Sequence, residues 1–308
     1  MDNTIHYQPR MSKELQLLQL LKPRRHFTTE ETRRYESLYR GYLGEMKFYH
    51  LVTSTSTSGY FLFDFLFSSN GTEFQIDSIS IEENVLTMYE IKNFSGDFFM
   101  DQDLWYSASS KKEVRNPFHQ LQRSEFLLRH LLKDTYPNLS IKAYIVFVND
   151  GFMLYQSPLS LPAIFPTQLT RFLKSISGPK NVLSKRVENI ANHLASLHIP
   201  KSTYEKLPSY SYDELKKGIT CDVTCGGFLK KHSNRFLLCP KCQKTVPMQQ
   251  AIYQNIIEFH TLFPEREIRT GSIYEWCGGA VSKFMIRQVL ITYFSPIKKG
   301  KFTHYISQ

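Results

Sequence analysis

Residues 73–96, Glu-Phe-Gln-Ile-Asp-Ser-Ile-Ser-Ile-Glu-Glu-Asn-Val-Leu-Thr-Met-Tyr-Glu-Ile-Lys-Asn-Phe-Ser-Gly, put charge where strands ask for apolar side chains. Two β-strands meet there at a polar turn, Glu82-Glu83-Asn84. The first alternates Phe74, Ile76, Ile79 and Ile81 around polar residues, and the second runs from Val85 to Lys92. Asp77 interrupts the first strand, and Glu90 and Lys92 sit near the end of the second. Alternation directs Glu90 and Lys92 to one face, roughly 6–7 Å apart. If pairing brings Asp77 alongside, two carboxylates and one ammonium converge. Carboxylates so crowded repel unless a cation separates them, and hard oxygen ligands suit Mg²⁺ or Mn²⁺. A neighbouring lysine can orient an attacking water or offset phosphoryl charge. The acidic-x-Lys triplet alone is a weak signal, since Glu45-Lys47 and Glu214-Lys216 repeat it. By itself it also fits a solvated strand face with an incidental ion pair. Asp77, one hairpin upstream, distinguishes the middle triplet.

The flanking chain supplies a frame. Residues 11–22 form a short amphipathic helix ended by Pro23. Thr28-x-x-Glu31 is a capping box opening a long helix to about Leu51, with Tyr35, Leu38, Tyr42, Met46 and Tyr49 as its buried face and Glu45 beside it. Tyr60 to Phe67 is an aromatic strand, and Asn70-Gly71 turns it into the central pair. Phe98-Phe99 and Leu104-Trp105-Tyr106 suggest a further hairpin. Pro117 opens a helix to about Lys133, with Phe118, Leu121, Phe126, Leu127, Leu128 and Leu131 inward and Gln120 on an early turn. Ile141 to Val148 returns as a strand, and a helix at about 167–176 closes the domain near Gly178-Pro179. The order αβββαβ predicts an α/β fold with a mixed sheet, shared by many functions.

Cys221-Asp-Val-Thr-Cys225 and Cys239-Pro-Lys-Cys242 are two close thiol pairs separated by 13 residues. Four thiolates close a Zn²⁺ tetrahedron, and Gly226-Gly227 provides a tight turn. A module this small has no core of its own, so bound metal supplies its folding energy, on the order of 10 kcal/mol. Four thiolates leave no open position, which makes the expected zinc structural. Lys230, Lys231 and Arg235 make the ribbon tip basic.

Beyond the ribbon, residues 247–263 form a helix, Ser272 caps a short one, Gly278-Gly279 turns, and 280–294 form another. Phe284, Val289, Leu290 and Tyr293 are its expected core face, with Lys283, Arg287 and Gln288 exposed. A basic hairpin with Lys298 and Lys299 follows. Helix, glycine turn, helix and basic wing suggest a winged helix-turn-helix that contacts DNA, although three-helix bundles without DNA share the pattern. Cys277 reads as a buried thiol. The domain expectation is therefore a helical extension at 1–27, a catalytic-type domain at 28–178, a helical linker at 179–216, a zinc ribbon at 217–246 and a helical region at 247–308.

Charge divides the chain in the same sense. Residues 1–179 hold 19 Lys+Arg and 19 Asp+Glu, whereas 180–308 hold 19 and 9, so the whole excess of +10 lies in the second half. Clustered carboxylates in a neutral half and cations in the other suggest chemistry in one and polyanion binding in the other. No apolar run approaches the roughly 20 residues of a membrane span. The N-terminus lacks a secretory pattern, and four clustered cysteines argue for metal over disulfides, so the expected location is the cytosol.

Over about residues 38–150 the chain resembles the nuclease-related domain (NERD) of the PD-(D/E)XK nuclease superfamily. The matching pieces are Gly44-Glu45, Gln75-Ile76-Asp77, Tyr89-Glu90-Ile91-Lys92-Asn93 with Gly96, Trp105, and Asn116-Pro117-Phe118-His119-Gln120, in the family's order and at similar spacing. The resemblance implies a restriction-endonuclease-like core and metal-dependent hydrolysis of DNA or RNA. It implies that Glu45, Asp77 and Glu90 hold Mg²⁺, that Lys92 positions water or stabilises charge, and that Gln120 reaches the site. The rival expectation is a non-catalytic DNA-binding regulator or repair accessory protein using the zinc and helical half. A small-molecule nucleotide enzyme is disfavoured by the lack of a glycine-rich phosphate loop.

Overall fold

The structure, a computed structural model, describes residues 5–6, 8–55, 57, 59–178, 184–222, 225–299 and 302–307, with backbone alone at 5, 6, 298, 299, 302 and 307. In chain order its first elements are Ile5–His6 (β1), Lys13–Leu21 (α1), Thr29–Thr53 (α2), Tyr60–Ser69 (β2), Thr72–Glu82 (β3) and Val85–Lys92 (β4). Gly96–Asp101 (β5), Leu104–Ser107 (β6), Glu113–Val114 (β7), Pro117–Leu132 (α3), Ser140–Phe147 (β8), Phe152–Tyr155 (β9) and Ala163–Ile164 (β10) follow. Leu169–Ser175 (α4) and Lys185–Leu197 (α5) come next. The remainder is Lys230–Lys231 (β11), Phe236–Leu238 (β12), Thr245–Pro247 (β13), Met248–Leu262 (α6), Thr270–Trp276 (α7), Lys283–Tyr293 (α8), Phe294–Lys299 (β14) and Phe302–Ser307 (β15). Two units emerge, one of residues 1–11 and 37–205, the other of 12–36 and 206–308. The division falls after Glu205; of the expected boundary at Gly178-Pro179, Pro179 lies outside the described residues.

The first unit is built on a six-stranded mixed sheet in the order β1-β2-β3-β4-β8-β10. Strands β2, β3 and β4 are an antiparallel meander, as their turns require: Asn70 and Gly71 take φ +50° and +74°, and Glu83 takes +49°. Strand β8 then returns parallel to β4, which demands a crossover, supplied by α3. The hairpin β5–β6 belongs to a separate four-stranded sheet, β7-β6-β5-β9. Apolar side chains cover both faces of the main sheet. One core joins Leu62, Phe65, Ile76, Met88 and Ile145 to Leu121 and Leu128 of α3 and Ile190 and Leu194 of α5. The other joins Phe61, Phe63, Tyr89 and Val146 to Phe48 and Val52 of α2 and Leu169, the first residue of α4.

Two helices are rotated relative to the sequence expectation. In α2 the capping box is real, with Glu31 N–H donating to Thr28 Oγ1 at 3.1 Å and Thr28 N–H to Glu31 Oε2 at 2.9 Å. Its most buried positions are Tyr35, Gly44, Phe48 and Val52, while Leu38, Tyr42, Met46 and Tyr49 are only half-buried. In α3 the inner line is Phe118, Leu121, Ser124, Leu128 and Leu132. Phe126 is 67% exposed, because it lies two residues, about 200° of helix, from Leu128.

In the second unit, β11, β12 and β13 form a three-stranded ribbon, followed by α6, α7, α8 and the β14–β15 hairpin. Ile268, between α6 and α7, bridges to Tyr305 of β15. The element order helix, bridge, helix, helix, hairpin is one that winged helix-turn-helix modules share. Gly278 and Gly279 take φ +62° and +69° at the turn between α7 and α8, a conformation open to glycine at little cost. Ser272 lies inside α7 and does not cap it; α7 begins at Thr270. Helix α8 turns Ile286, Val289 and Leu290 inward, and Phe284 and Tyr293 are 67% and 44% exposed, contrary to the expected core face. An apolar count spread around most of a helix leaves its phase open, and here Ile286 takes the place assigned to Phe284.

Arg24 organises the interior of this unit. It is fully buried and pairs with Glu258, Nε to Oε1 at 2.6 Å. Its other donors reach the carbonyls of Lys216 and Gly218, Asn255 Oδ1 and Glu258 Oε2. The guanidinium lies 3.9 Å from the Trp276 ring centroid, so stacking and hydrogen bonds together replace the water it has lost. Buried Cys277, as expected a packed thiol, accepts from Asn255 Nδ2 at 3.2 Å.

Candidate active site and thiolate cluster

The register of the first unit's sheet explains why acidic residues collect where they do. Strands β2 and β3 keep one register throughout, but the pairing is interrupted between the rungs Phe63↔Ser78 and Phe65↔Ile76. The residues facing each other there are Asp64 and Asp77, and Asp64 takes a left-handed φ of +57°. Both strands shift phase at that rung: Phe65 and Phe67 join the core containing Leu62, and Ile79 joins the core containing Ile76. A side-chain alternation of two cannot do this without a backbone distortion. On its other side β3 leaves β4 after the rung Ser78↔Tyr89. Asp77 and Glu90 therefore flank the point where two strands part. The Ile91 N–H, deprived of a strand partner, donates to Asp77 Oδ2 at 2.7 Å. Strand β4 stays anchored through Glu90↔Ile145 and Lys92↔Phe147 on β8.

Helix α2 is held close to this fork. A Cβ at Gly44 would stand 2.7 Å from Cβ of Asn93, so only glycine permits the approach that brings Glu45 to the site. Asn93 Nδ2 donates to the Arg40 carbonyl at 2.9 Å, and Asn93 Oδ1 accepts from Asn149 Nδ2 at 3.0 Å. Asn93 thus fastens α2 to the end of β4. Residues Arg40, Glu45, Asp77, Glu90, Lys92 and Gln120 line one cleft of ≈ 360 Å³. All five residues expected to act at the site are in it.

Lys92 Nζ donates to Glu90 Oε1 at 2.7 Å and to Gln120 Oε1 at 3.2 Å. Glu90 is 2% exposed, and its Oε2 has no hydrogen-bond partner. A buried carboxylate oxygen in that condition is costly unless a cation or a proton reaches it. The cost spreads to its neighbours. Burial first, then the Glu90 and Glu45 charges, push the Asp77 carboxyl well above the usual range, against the opposing pull of Lys92 and the Ile91 N–H. Burial, then the Asp64 and Glu90 charges, push Glu45 up to about 8, with Lys92 opposing. One ammonium does not balance this many carboxylates, and the donor set is all hard oxygen. It fits a divalent cation such as Mg²⁺ or Mn²⁺. The three carboxylates do not close to the mutual 4.8 Å of the thiol set described below.

Asp64 and Asn93 are the participants that the reading of residue types alone did not assign. Asp64 had a visible signal: it is the single charge within Tyr-Phe-Leu-Phe-Asp-Phe-Leu-Phe. Asn93 had none beyond its place after Lys92, because its partners, Arg40 and Asn149, are remote in sequence.

In the second unit the Sγ atoms of Cys221, Cys225, Cys239 and Cys242 lie within 4.8 Å of one another. Cys221–Cys242 is 3.7 Å and Cys225–Cys239 is 3.6 Å. A tetrahedron with Zn–S bonds of about 2.3 Å has edges of about 3.8 Å, whereas a disulfide brings sulfurs to about 2.05 Å. The four free thiols are therefore spaced to hold zinc. Gly226 turns at φ +61°, and a Cβ on Gly227 would meet Cys239 Sγ at 2.8 Å. Lys230, Lys231, Arg235, Lys283 and Arg287 are all exposed in this unit. The side chains of Lys298 and Lys299 lie outside the described residues.

Acidic residues and a lysine thus meet where the strands of a mixed sheet part. Residues 40–148 match the family model of the nuclease-related domain, NERD. The chain thus carries a nuclease-related domain over about a third of its length, with a four-cysteine cluster compatible with a zinc module C-terminal to it. No curated protein and no solved structure matches the chain. Among the described residues, no helix is long and apolar enough to cross a membrane.

Proposed function

We propose that the protein is a metal-dependent nuclease that hydrolyses phosphodiester bonds of DNA or RNA. The observation that carries this reading is the buried, unpartnered Glu90 Oε2 in a cleft shared with Asp77, Glu45 and Lys92. Glu45, Asp77 and Glu90 would hold Mg²⁺ or Mn²⁺, which when bound polarises a phosphate and lowers the pKa of bound water. The Ile91 N–H fixes one oxygen of Asp77, leaving the other for the cleft. Lys92, held between Glu90 and Gln120, offsets charge that develops on the phosphoryl oxygens or orients water. Gln120 limits where that ammonium can go. Zinc on the four cysteines is structural, since four thiolates leave no open position. Lys230, Lys231, Arg235, Lys283, Arg287, Lys298 and Lys299 of the basic second unit bind the nucleic-acid backbone. Clustered free thiols suit a reducing compartment, and the cytosol is the proposed location.

The test is cleavage of supercoiled, linear and single-stranded DNA and of RNA, with Mg²⁺ or Mn²⁺, by the parent chain, Asp77→Ala and Lys92→Ala, each verified as folded. Metal-dependent products that both substitutions abolish support the nuclease. A parent chain inert on every substrate, yet binding DNA as its variants do, would instead favour a non-catalytic DNA-binding protein.

A further inference from the structure

A second cleft, of ≈ 440 Å³, opens in the C-terminal unit between the ribbon and the helix-turn-helix. Lys231 and Asn234 of the ribbon line it, together with Tyr274, Phe284 and Met285. Its size falls within the roughly 300–1,000 Å³ of small-molecule sites. Phe284, on the first turn of α8, is 67% exposed at this cleft. Lys283 Nζ stands 5.2 Å from the Tyr274 ring. No carboxylate lines the cleft, so its charge favours an anion.

Helix α8 follows the glycine turn, the place in chain order of the recognition helix of a helix-turn-helix protein. Reading a duplex requires polar side chains aimed at base edges. The outward side of α8 carries Phe284 and Ile291, 67% and 55% exposed, on either side of Arg287 and Gln288. Exposed rings beside cations and a side-chain amide are the equipment for stacking a base that has left its helix while holding the adjacent phosphates. We propose that this cleft receives an unstacked base, with Phe284 as the stacking surface, Asn234 as the edge contact and Lys231 and Lys283 on the flanking phosphates, so that the C-terminal unit prefers single-stranded nucleic acid. The inference rests on the reading that this unit binds nucleic acid and narrows its substrate class.

The experiment is fluorescence anisotropy of labelled single-stranded DNA, single-stranded RNA and duplex DNA with the zinc-loaded full chain, without added Mg²⁺ or Mn²⁺. The parent chain binds single strands more tightly than duplex. Phe284→Ala weakens single-strand binding roughly 5- to 160-fold, the range for loss of one stacked base, and Phe284→Trp restores it. Lys231→Glu weakens it further and flattens its salt dependence. Thermal unfolding of Phe284→Ala matches the parent, because the ring is exposed. Nucleic-acid binding that is undiminished in Phe284→Ala, or that favours duplex, overturns the base site while leaving the nucleic-acid reading intact. Failure of the parent chain to bind any of the three overturns both.

Discussion

Buried charge is handled in opposite ways by the two units. Around Arg24, one cation meets one carboxylate, each guanidinium nitrogen has a partner, and Trp276 lies against the guanidinium plane. Around Glu90, one ammonium serves several carboxylates, an oxygen goes unpartnered, and the acids of Asp77 and Glu45 are pushed toward protonation. Satisfied polar clusters hold a fold in place. A cluster left short of a partner stores free energy that a ligand can recover, and such clusters concentrate at functional sites. The four thiols stand with Arg24 on the structural side, since one metal ion would use all of them.

The largest effect that would test this contrast is removal of zinc. A chelator strong enough to strip the cysteines should cost the second unit on the order of 10 kcal/mol. Hydrogen exchange would then show loss of protection across residues 217–247, with β2, β3 and β4 still protected. Replacing Arg24 is the next largest. Arg24→Met leaves Glu258 buried with no cation beside it and only the Thr220 hydroxyl donating to it, and should lower stability to urea by about 3–5 kcal/mol. Adding Glu258→Leu to it should recover much of that loss.

The same operation in the cleft should have the other sign. Glu90→Gln removes a buried charge from a set that repels itself, so stability should hold or rise by about 1 kcal/mol while cleavage is lost. Urea melts and the nuclease assay on one preparation would check both halves. A fall in stability comparable to that of Arg24→Met would erase the distinction.

The last test concerns pH. Glu45 is raised from 4.5 to about 8 in the fold, and Asp77 is raised as well. A carboxyl with a raised folded pKa binds its proton more tightly when folded. Its stabilisation is complete below the unfolded value and is lost as pH rises through the folded one. In metal-free buffer the first unit should therefore lose stability between about pH 4.5 and 8, and Mg²⁺ should return more of it at the upper end. Thermal melts across that range, with and without Mg²⁺, measure the difference.

Asp77, Glu90 and Lys92 were legible because a charge inside an apolar strand has few innocent explanations. The cysteine pairs were legible because spacing alone draws thiols together. Arg24 was not, since Pro23-Arg24-Arg25 reads as a basic loop and its partner Glu258 is 234 residues away. Phe284, Tyr293 and Phe126 were assigned to cores from their hydrophobicity. Each helix had more apolar residues than its buried side could take, and tertiary packing chose among them. Asp64 became interpretable only when the register placed it opposite Asp77.

The central claim is that the open cluster is a divalent-cation site. Calorimetric titration of the zinc-loaded chain with Mn²⁺ near pH 8 tests it directly. The account predicts Mn²⁺ uptake by the parent that disappears in Asp77→Asn and in Glu90→Gln, both still folded. Uptake that persists unchanged in those two variants, or a folded parent that takes up none, would contradict it.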